Sequence, residues 1–499
     1  MLFLATLLLP ATPRAQDAVF PTAETREVLA TGFAAILDRH LEPASPRDLA
    51  LWALRGLAAL DPALGAELRG ASLRLRGLPG AAPARTLPAP PAQPAPAAVA
   101  MAEPVAALME AAWRGSPELR RQSPERVLQA AFDEVFDRLD PYSRYVSIAE
   151  SRAARERRTG QAGLGLRLGA SGRGDAVIIV ALTPGGSATL AGLRLGERVL
   201  AVDGIPVSAG DLPSAAALLE GPANAPVALT VLRGGRRREV VLLRTAAPPP
   251  TVQAERRDDI LWLRVSGFTN ATEVQLAAVL EEVFRTAPPR GVVLDLRGNR
   301  GGVLTQAVAV ADLFLPGGEI VRTVGRHREA TRTYLAGGPD LTQGRPLVVL
   351  VDGRSASAAE IVAAALGDRG RAVIVGSATQ GKGLVQLLIP LPNGGELLLS
   401  WSRLVTPRGW PIQDVGVLPH LCTSLGLEAA AQALAALGRG EAPMRAALER
   451  QRALRAPVAA AAAAELRAAC PPAEAREAEF GVARALIDSP DTWRAALGP

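Results

Sequence analysis

Apolar and polar residues follow helical spacing in the first part of the chain. Residues 20–70 place Ala and Leu at i, i+3 and i+4, which predicts amphipathic helices, and the same spacing returns from Pro104 to about Leu139. Between these segments, Gly77 to Ala98 contain seven prolines and no periodicity. We therefore predict a semi-rigid, partly polyproline linker that contributes no core residues.

The pattern changes to short apolar runs from Gly160 to about Thr245. Gly-rich turns separate these runs, and one Ala/Leu helix is expected over 212–220. This arrangement predicts a small β-rich module. A run of prolines, Pro248–Pro250, marks its end.

Strands and helices alternate after this boundary. Nearly all-apolar strands are interleaved with helices predicted over 272–286, 303–314 and 357–367. The alternation predicts a layered α/β core around a buried, largely parallel sheet. From about Leu425 the sequence indicates Ala-rich helices with a break at Pro471-Pro472.

Length and charge add the domain count and exclude one class of partner. A chain of 499 residues indicates about two to four domains. The formal charge is +6 and the sequence pI is near 10.2, but the arginines are scattered and form no basic block interleaved with aromatics. We therefore predict a solvated basic surface and no nucleic-acid partner.

The cysteine content excludes a structural zinc site. The chain has only Cys422 and Cys470, without a CxxC motif or a Cys/His cluster, and we predict no metal and no cofactor. In an oxidising compartment the two cysteines would pair, whereas in the cytosol they would remain thiols, and the sequence leaves both open.

The N-terminus predicts export. An apolar run from Leu2 to Leu9 is followed by small residues up to Ala15, so we expect a signal peptide and a periplasmic protein, with membrane association left open. The run lacks a positively charged start. No later stretch offers about 18 consecutive apolar residues.

The histidines argue against two common hydrolase types. His40, His327 and His420 lie away from any strand-to-helix nucleophile turn, and neither GxSxG nor HExxH occurs. A Ser-His-Asp triad and a zinc hydrolase are therefore not expected. A hydrolase with this sequence needs a base other than histidine.

One stretch places serines at a helix N-terminus. PLVVLVDGRSASAAE supplies a buried strand and a tight turn, after which Ser355 and Ser357 open an apolar helix. Backbone N–H groups at this position are unpaired and lie at the positive end of the helix dipole, so they can receive an oxyanion. By itself, the stretch fits a simple helix cap better than a catalytic serine.

A second stretch supplies a candidate base. Lys382 stands between Gly381 and Gly383 just after an apolar strand, and the glycines let the backbone pass close to another segment. A lysine held in an apolar site is desolvated, can stay neutral and can accept a serine proton. The competing interpretation, a phosphate loop, fails because no Ser or Thr follows Lys382, as GxxxxGK[ST] requires.

A third stretch, GVVLDLRGNRGGVL, ends a strand with glycines that leave backbone N–H groups open to a ligand. Together, the three stretches resemble the C-terminal processing peptidases, also called tail-specific proteases. The resemblance extends from LDPYSRYV, which begins at Leu139, to TPRGWPIQDVGVLP, which ends at Pro419. Each motif alone is weak, but their joint order is specific.

The resemblance implies an acyl-transfer peptidase with a serine-lysine dyad. Ser357 would be the nucleophile, Lys382 the general base and Gln386 the residue that orients the lysine. The backbone N–H of Ala358 and that of one glycine in the pair Gly301-Gly302 would form the oxyanion hole. Three further motif positions are expected to support the site: Glu360, Asp368 and Thr379.

The sequence departs from the family pattern at two motif positions. Ala359 stands where the family commonly has serine, which is a small change. His420 replaces the usual aspartate after GVxP, and the sequence alone assigns no consequence to this replacement.

Residues 160–245 resemble a PDZ domain, with GLGLRL as its carboxylate-binding loop and strand. A peptide tail would add as a strand, with its carboxylate facing the N–H groups of the loop. The competing interpretation is a small β module without peptide affinity. The implied contact residues are Gly163, Leu164, Gly165 and Leu166.

The expected fold class is multidomain α/β. The resemblance implies a crotonase- or Clp-protease-like catalytic core with an inserted β-rich PDZ domain, between helical N- and C-terminal regions. The predicted segments are a signal peptide (1–15), an N-terminal helical region (16–76), an Ala/Pro-rich linker (77–103), a helical part of the peptidase (104–159), the PDZ domain (160–247), the catalytic core (248–424) and an Ala-rich helical C-terminal region (425–499).

These expectations describe a serine endopeptidase that cleaves exported proteins after its PDZ domain recognises apolar C-terminal tails. Tail docking is also expected to gate the dyad. One alternative is a catalytically silent PDZ scaffold, and another is an acyl-CoA enzyme of the crotonase-like kind, for which the sequence gives no CoA-binding surface. An adaptor protein and self-association are left open as partners.

Overall fold

The computed structural model describes residues 19–498, except 81, 153–161, 173–175, 184–185, 222–223, 247–249 and 476. The predicted signal peptide lies outside the described residues. The chain forms two compact units. The first unit comprises Met1–Ser151, Arg322–Arg332 and Leu384–Leu404, and the second comprises Arg152–Val321, Thr333–Gly383 and Val405–Pro499.

The first unit is built mainly from the N-terminal helices. Its N-terminal elements are α1 (Thr22–Arg39), α2 (Pro46–Arg55), β1 (Gly65–Arg69), β2 (Ser72–Arg76), β3 (Ala84–Thr86), α3 (Pro94–Gly115), α4 (Pro117–Arg120), α5 (Pro124–Asp137) and β4 (Arg144–Val146). Apolar faces of α1, α2, α3 and α5 share one core. Ser45 and Ser123 cap α2 and α5, each followed by a proline in the first turn.

The structure contradicts the predicted linker over residues 77–103. Within 77–103, β3 pairs with β2, and α3 begins at Pro94. Leu87, Ala98 and Met101 are buried in the core of the unit. Proline content did not indicate a linker here, because a helix tolerates proline in its first turn. The N–H groups of that turn have no intrahelical acceptors in any case.

Two other features of this unit go beyond the predicted helices. The region 16–76 ends in the antiparallel hairpin of β1 and β2. Helix α3 is long and apolar enough to cross a membrane by length and composition, and just over half of that stretch is buried within the protein.

The turn that follows α5 is organised by one carboxylate. Asp140 accepts hydrogen bonds from the backbone N–H groups of Tyr142 (2.8 Å) and Ser143 (2.9 Å) and from the hydroxyl of Ser400 (2.8 Å), and His40 Nε2 lies 2.8 Å from it. Burial alone would raise the pKa of Asp140, but these hydrogen bonds outweigh it and lower the pKa. The LDPYS motif therefore stabilises a turn.

A second β-sheet includes strands of this unit. Its strand order is β17-β16-β21-β20, with β4 beside β21. The remaining strands of this sheet are β16 (Gly318–Val324), β17 (Arg332–Ala336), β20 (Leu384–Pro390) and β21 (Glu396–Val405).

The small β-rich module is an insertion in the second unit. Its elements are β5 (Ala162–Gly163), β6 (Leu166–Ala170), β7 (Val177–Leu182), α6 (Ser187–Leu190), β8 (Arg198–Val202), β9 (Ile205–Pro206), α7 (Leu212–Ala217), β10 (Pro226–Arg233), β11 (Arg236–Leu243) and β12 (Thr245–Ala246). The sheet order is β11-β10-β8-β7-β6, so β6 is an edge strand. The two chain crossings of the module, β5 and β12, pair with each other.

The rest of the second unit is the predicted α/β core. Its sheet has the order β13-β14-β15-β18-β19-β22, and every pair from β14 to β22 is parallel. Strand β18 is buried along its whole length. The strands are β13 (Val252–Arg257), β14 (Ile260–Val265), β15 (Gly291–Asp295), β18 (Leu347–Val351), β19 (Val373–Gly376) and β22 (Leu421–Cys422). The predicted buried parallel sheet is confirmed.

Three helices of the core fall where periodicity predicted them: α8 (Thr272–Thr286), α9 (Leu304–Asp312) and α10 (Ala358–Asp368). The C-terminal region is helical, and its predicted break at Pro471-Pro472 separates two helices. These helices are α11 (Leu427–Gly438), α12 (Arg445–Ala453), α13 (Ala460–Ala468), α14 (Ala478–Asp488) and α15 (Pro490–Leu497). Cys422 and Cys470 form a disulfide, which settles the alternative that the sequence left open.

Candidate active site

The turn between β18 and α10 presents Ser357 in an unusual backbone conformation. Ser357 is the N-cap residue of α10, with φ +55° and ψ −113°, and it is half-buried. A positive φ in a residue with a Cβ is strained and persists only where the surroundings enforce it. The conformation places this serine at the mouth of the helix, as sequence analysis predicted for the nucleophile.

The neighbouring serine has a different role. Ser355 is fully buried, and its hydroxyl donates to the carbonyl of Leu296 (2.9 Å) and accepts the N–H of Asp352 (3.0 Å). Its hydrogen bonds therefore hold the turn against the end of the adjacent strand. Of the two serines, only Ser357 stands at the helix N-terminus.

Glu360 connects the serine turn to the lysine loop. Its carboxylate is fully buried, and Oε2 accepts the backbone N–H groups of Ser357 (2.7 Å) and Lys382 (2.9 Å). Oε1 accepts the N–H of Gly381 (2.7 Å) and the hydroxyl of Thr379. Burial raises the pKa of Glu360, and these four donors oppose the rise. One oxygen atom thus anchors the backbones of both predicted catalytic residues.

Glycines on both sides of Lys382 allow the close approach that the sequence predicted. A Cβ on Gly383 would lie 2.1 Å from the nitrogen of Gln413, and Gly381 has φ +85°. The N–H of Gly383 donates to the side-chain oxygen of Gln413 (2.9 Å). Lys382 itself is half-buried.

The glycine turn after β15 is bound to the serine turn through Asn299. The carbonyl of Asn299 accepts the N–H of Ala356 (2.9 Å), and its side-chain oxygen accepts the N–H of Gly301 (2.8 Å). A Cβ on Gly301, whose φ is +99°, would lie 2.9 Å from the Cβ of Ser357. Only glycine fits this approach. Sequence analysis did not single out Asn299.

The predicted oxyanion donors differ in availability. The N–H of Gly301 is taken by Asn299, whereas the N–H groups of Gly302 and Ala358 have no hydrogen-bond partner within the described part of the chain. Of the predicted glycine pair, Gly302 is therefore the one whose N–H group can bind a developing oxyanion.

Asp368 lies away from this cluster, and Gln386 belongs to the other compact unit. Asp368 ends α10, about 16 Å from Ser357 at a rise of about 1.5 Å per residue, and accepts the indole N–H of Trp410 (2.9 Å). Gln386 lies on β20 of the first unit, where its amide donates to the carbonyl of Tyr142 (2.5 Å). The role of Gln386 toward Lys382 stays a prediction.

A C-terminal segment fastens the two loops together. This segment, residues 467–473, is called the clip below. Ala473 accepts the N–H of Gly353 (2.7 Å), in the serine turn, and its own N–H donates to Ser377 Oγ (3.1 Å), just after β19. The disulfide of Cys470 joins the clip to β22.

Arg467 extends the clip to the lysine loop. Its guanidinium donates to the carbonyls of Thr379 (2.7 Å) and Val415 (3.0 Å). Burial lowers the pKa of Arg467, and the charge on Glu360 opposes this change. Sequence analysis missed the clip, because an Ala-rich C-terminal helix carries no motif that marks it.

No cluster of three or more His, Cys, Asp or Glu side chains with metal-ligand geometry occurs among the described residues. The groups that Ser357, Lys382 and the adjacent turns present are a hydroxyl, an amine and backbone N–H groups. The sequence carried one further signal for the amine, since Lys382 is the only lysine in the chain. Arginine cannot supply a neutral amine because its pKa is too high.

The β-rich module offers an open edge for a peptide. Among the described strands, β6 pairs with β7 alone, and it contacts α7. Gly165 has φ +67°, and the N–H groups of Leu164 and Gly165 have no hydrogen-bond partner among the residues described. The side chain of Leu164 is buried in the module. The loop can therefore offer backbone donors to a carboxylate.

Comparison with known proteins identifies the family of the chain and one of its domains. Residues 259–423 match the model of peptidase family S41, and residues 178–233 match that of the PDZ domain. The chain is 35% identical over 302 residues to the carboxy-terminal-processing protease of Bartonella bacilliformis, which covers 60% of this chain and 69% of that protein. It is 32% identical over 298 residues to the carboxyl-terminal-processing protease of Synechocystis, covering 58% and 69%. The corresponding protease of Picosynechococcus is 33% identical over 307 residues, covering 59% and 73%.

Proposed function

Because the chain belongs to the carboxy-terminal-processing proteases of peptidase family S41, we propose that it hydrolyses peptide bonds with a dyad of Ser357 and Lys382. The family and the PDZ domain make it a serine endopeptidase rather than a silent scaffold. The residues that perform the reaction are our assignment.

In the proposed reaction, Ser357 Oγ attacks the peptide carbonyl while the neutral amine of Lys382 takes the hydroxyl proton. The carbonyl oxygen becomes an oxyanion held by the N–H groups of Gly302 and Ala358. The C–N bond then breaks, and the leaving amine receives the proton from Lys382. Water, deprotonated by the same lysine, hydrolyses the acyl-enzyme and releases Ser357.

The shared anchor on Glu360 carries this proposal. Its Oε2 accepts the backbone N–H groups of Ser357 and Lys382, which are 25 residues apart in the sequence. A buried carboxylate that orders the nucleophile turn and the base loop at once is costly to bury. This burial cost is explained if Ser357 and Lys382 must be held at a fixed position relative to each other.

The substrate is expected to be a protein with an apolar C-terminal tail. The open edge of β6 and the unpaired loop donors support tail binding as an added strand, with the carboxylate at Leu164 and Gly165. An exported, periplasmic location is part of the proposal, and the disulfide supports it, since such bonds persist in oxidising compartments. An adaptor protein and self-association stay predictions.

The test uses two variants that remove the nucleophile and the base separately. In Ser357→Ala the nucleophile is lost, and in Lys382→Arg the positive charge stays but no neutral amine can form. We expect each to lower kcat on an unfolded substrate with an apolar tail by roughly a thousandfold or more, with thermal unfolding nearly unchanged.

Two controls complete this test. Ser72→Ala, in the hairpin of the first unit, should leave kcat unchanged. A serine-reactive probe should label the parent enzyme at Ser357 only, and labelling elsewhere together with full activity of Ser357→Ala would refute the dyad.

A further inference from the structure

His420 is a buried side chain with one polar atom left over. It is 5% exposed, and its Nδ1 accepts the backbone N–H of Ile374 at 2.9 Å. The proton of a neutral ring is therefore on Nε2. That nitrogen has no hydrogen-bond partner among the residues described. Buried polar groups are normally paired, so a partner is missing at this position.

The ring is neutral at physiological pH. Burial lowers the pKa of His420 to about 3, and the nearby charge of Arg452 acts in the same direction. Nε2 is consequently a fixed N–H donor over the whole physiological range.

His420 lines a cavity of about 370 Å³ whose other charged groups are mainly arginines. Arg408, Arg445 and Arg452 line the cavity, and the carboxylate of Glu449 lies at its wall. Apolar parts of the wall come from α12 and α15. The cavity thus combines cationic groups, one buried neutral donor and an apolar surface.

An adjoining cavity of about 650 Å³ shares Arg408 and Arg452 with the first. It adds Arg369, Arg494 and Asp368. Taken together, five arginines and two carboxylates line the two cavities.

The nearest carboxylate does not fully neutralise this charge. Asp368 accepts the indole N–H of Trp410 (2.9 Å) and the backbone N–H of Arg408 (3.2 Å), and Nε of Arg452 lies 3.6 Å away. The side chain of Arg408 donates instead to the carbonyl of Asp368 at 3.1 Å. Burial lowers the pKa of Arg452, and the charge of Arg408 lowers it further. Two guanidinium groups therefore lie at Asp368, that of Arg452 beside its carboxylate and that of Arg408 on its backbone carbonyl.

The helix dipole explains only part of this arrangement. The two cavities lie at the C-terminal end of α10, where the last carbonyls favour a cation. The guanidinium of Arg408 on the carbonyl of Asp368 meets that need. The helix end does not account for Arg445, Arg452 or the unpaired Nε2 of His420.

We propose that the cavity lined by His420 binds a small oxyanion of the phosphate class, with Nε2–H of His420 as donor and Arg408 and Arg452 as cationic partners. A phosphate group matches several guanidinium forks at once, which a single carboxylate does not. The apolar wall suits the carbon part of a phosphate ester. This site is separate from the peptidase site and does not depend on its mechanism.

The experiment measures binding of inorganic phosphate and of glycerol 3-phosphate to the full chain by calorimetry at constant ionic strength. We expect one saturable site per chain. His420→Asn keeps an acceptor for the N–H of Ile374 but removes the Nε2 donor. This variant and Arg452→Gln should each weaken binding by about tenfold or more.

The controls separate binding from folding. Arg445→Gln changes an exposed cavity residue and should weaken binding without loss of stability, while Arg285→Gln, outside both cavities, should bind like the parent. Tighter binding of glycerol 3-phosphate identifies an ester as ligand, and the reverse identifies free phosphate. Absence of saturable binding, or equal affinity in folded His420→Asn, would overturn the proposal and leave water as the partner of Nε2.

Discussion

At the scale of single residues, neighbouring side chains of the same type have separate tasks. Ser355 and Ser357 are two positions apart. Ser355 is fully buried and its hydroxyl makes hydrogen bonds within the turn, whereas Ser357 is half-buried and has a positive φ. Gly301 and Gly302 differ similarly, because Asn299 takes the N–H of the first. The division arises from which groups already have partners.

Glu360 allows a sharp prediction at this scale. Each of its two carboxylate oxygens accepts two hydrogen bonds. In glutamine the NH₂ group would replace one of these oxygens and would face two donors in either orientation of the amide. We expect Glu360→Gln to lower kcat about a hundredfold with little change in KM, and to lower unfolding free energy by about 3 kcal/mol.

Steady-state kinetics and thermal unfolding check this outcome. Glu281→Gln, on the exposed face of α8, is the matched control and should change neither. If Glu360→Gln unfolded at the parental temperature with parental kcat, the anchoring role of this carboxylate would be wrong.

At the scale of elements, the clip is the feature that ties the second unit's loops together. It joins the turn before Ser357 to the loop before Lys382 through Ala473, and Arg467 binds the carbonyl of Thr379. A disulfide that closes 48 residues holds it in place. The C-terminal region thus supports both loops that carry the proposed dyad.

Removal of the disulfide should therefore affect activity as well as stability. Chain entropy predicts a loss of about 4 kcal/mol for a loop of this length when Cys422 and Cys470 are both replaced by alanine. We also expect kcat to fall in the folded variant, because the two loops lose a common support.

Denaturant unfolding and kinetics at low temperature, where the variant stays folded, measure the two effects. Arg467→Gln retains the disulfide and should lower kcat with a smaller change in stability. Parental kcat in both folded variants would show that the clip is structural only.

At the scale of the whole molecule, the PDZ domain is an insertion whose two chain crossings are paired. β5 and β12 hold its ends side by side, so the domain interrupts the peptidase without spreading the chain apart. Its edge strand and the loop N–H groups that lack partners among the described residues are proposed to bind a peptide tail, which the peptidase site does not require. Tail recognition and bond cleavage can therefore be tested separately.

A substrate whose C-terminal carboxylate is replaced by an amide makes this test. We expect kcat/KM to fall about tenfold or more for the amide, since the N–H groups of Leu164 and Gly165 lose a charged acceptor. Gly165→Val should remove the difference between the two substrates. Valine is strained at φ +67°, and its Cβ would lie 3.0 Å from the Cα of Gly186. Equal cleavage of acid and amide by the parent enzyme would contradict tail recognition.

The sequence by itself determined the order of elements, the buried parallel sheet, the family and the residues proposed as nucleophile and base. Each of these is written in a short local string, such as an apolar strand followed by a glycine turn, so neighbouring residues suffice to infer it. The prediction failed in the Ala/Pro-rich stretch because proline composition alone does not distinguish a linker from the first turn of α3.

Only the tertiary structure decided which N–H groups are free, how the clip joins the two loops and that His420 is left with an unpaired donor. The physical reason is that a buried polar group is satisfied by whatever lies next to it in space, and those partners are distant in sequence. Asn299 and Gly301, Gly353 and Ala473, and Ile374 and His420 show this dependence. The availability of these polar groups therefore depends on hydrogen-bond partners that only the folded protein brings together.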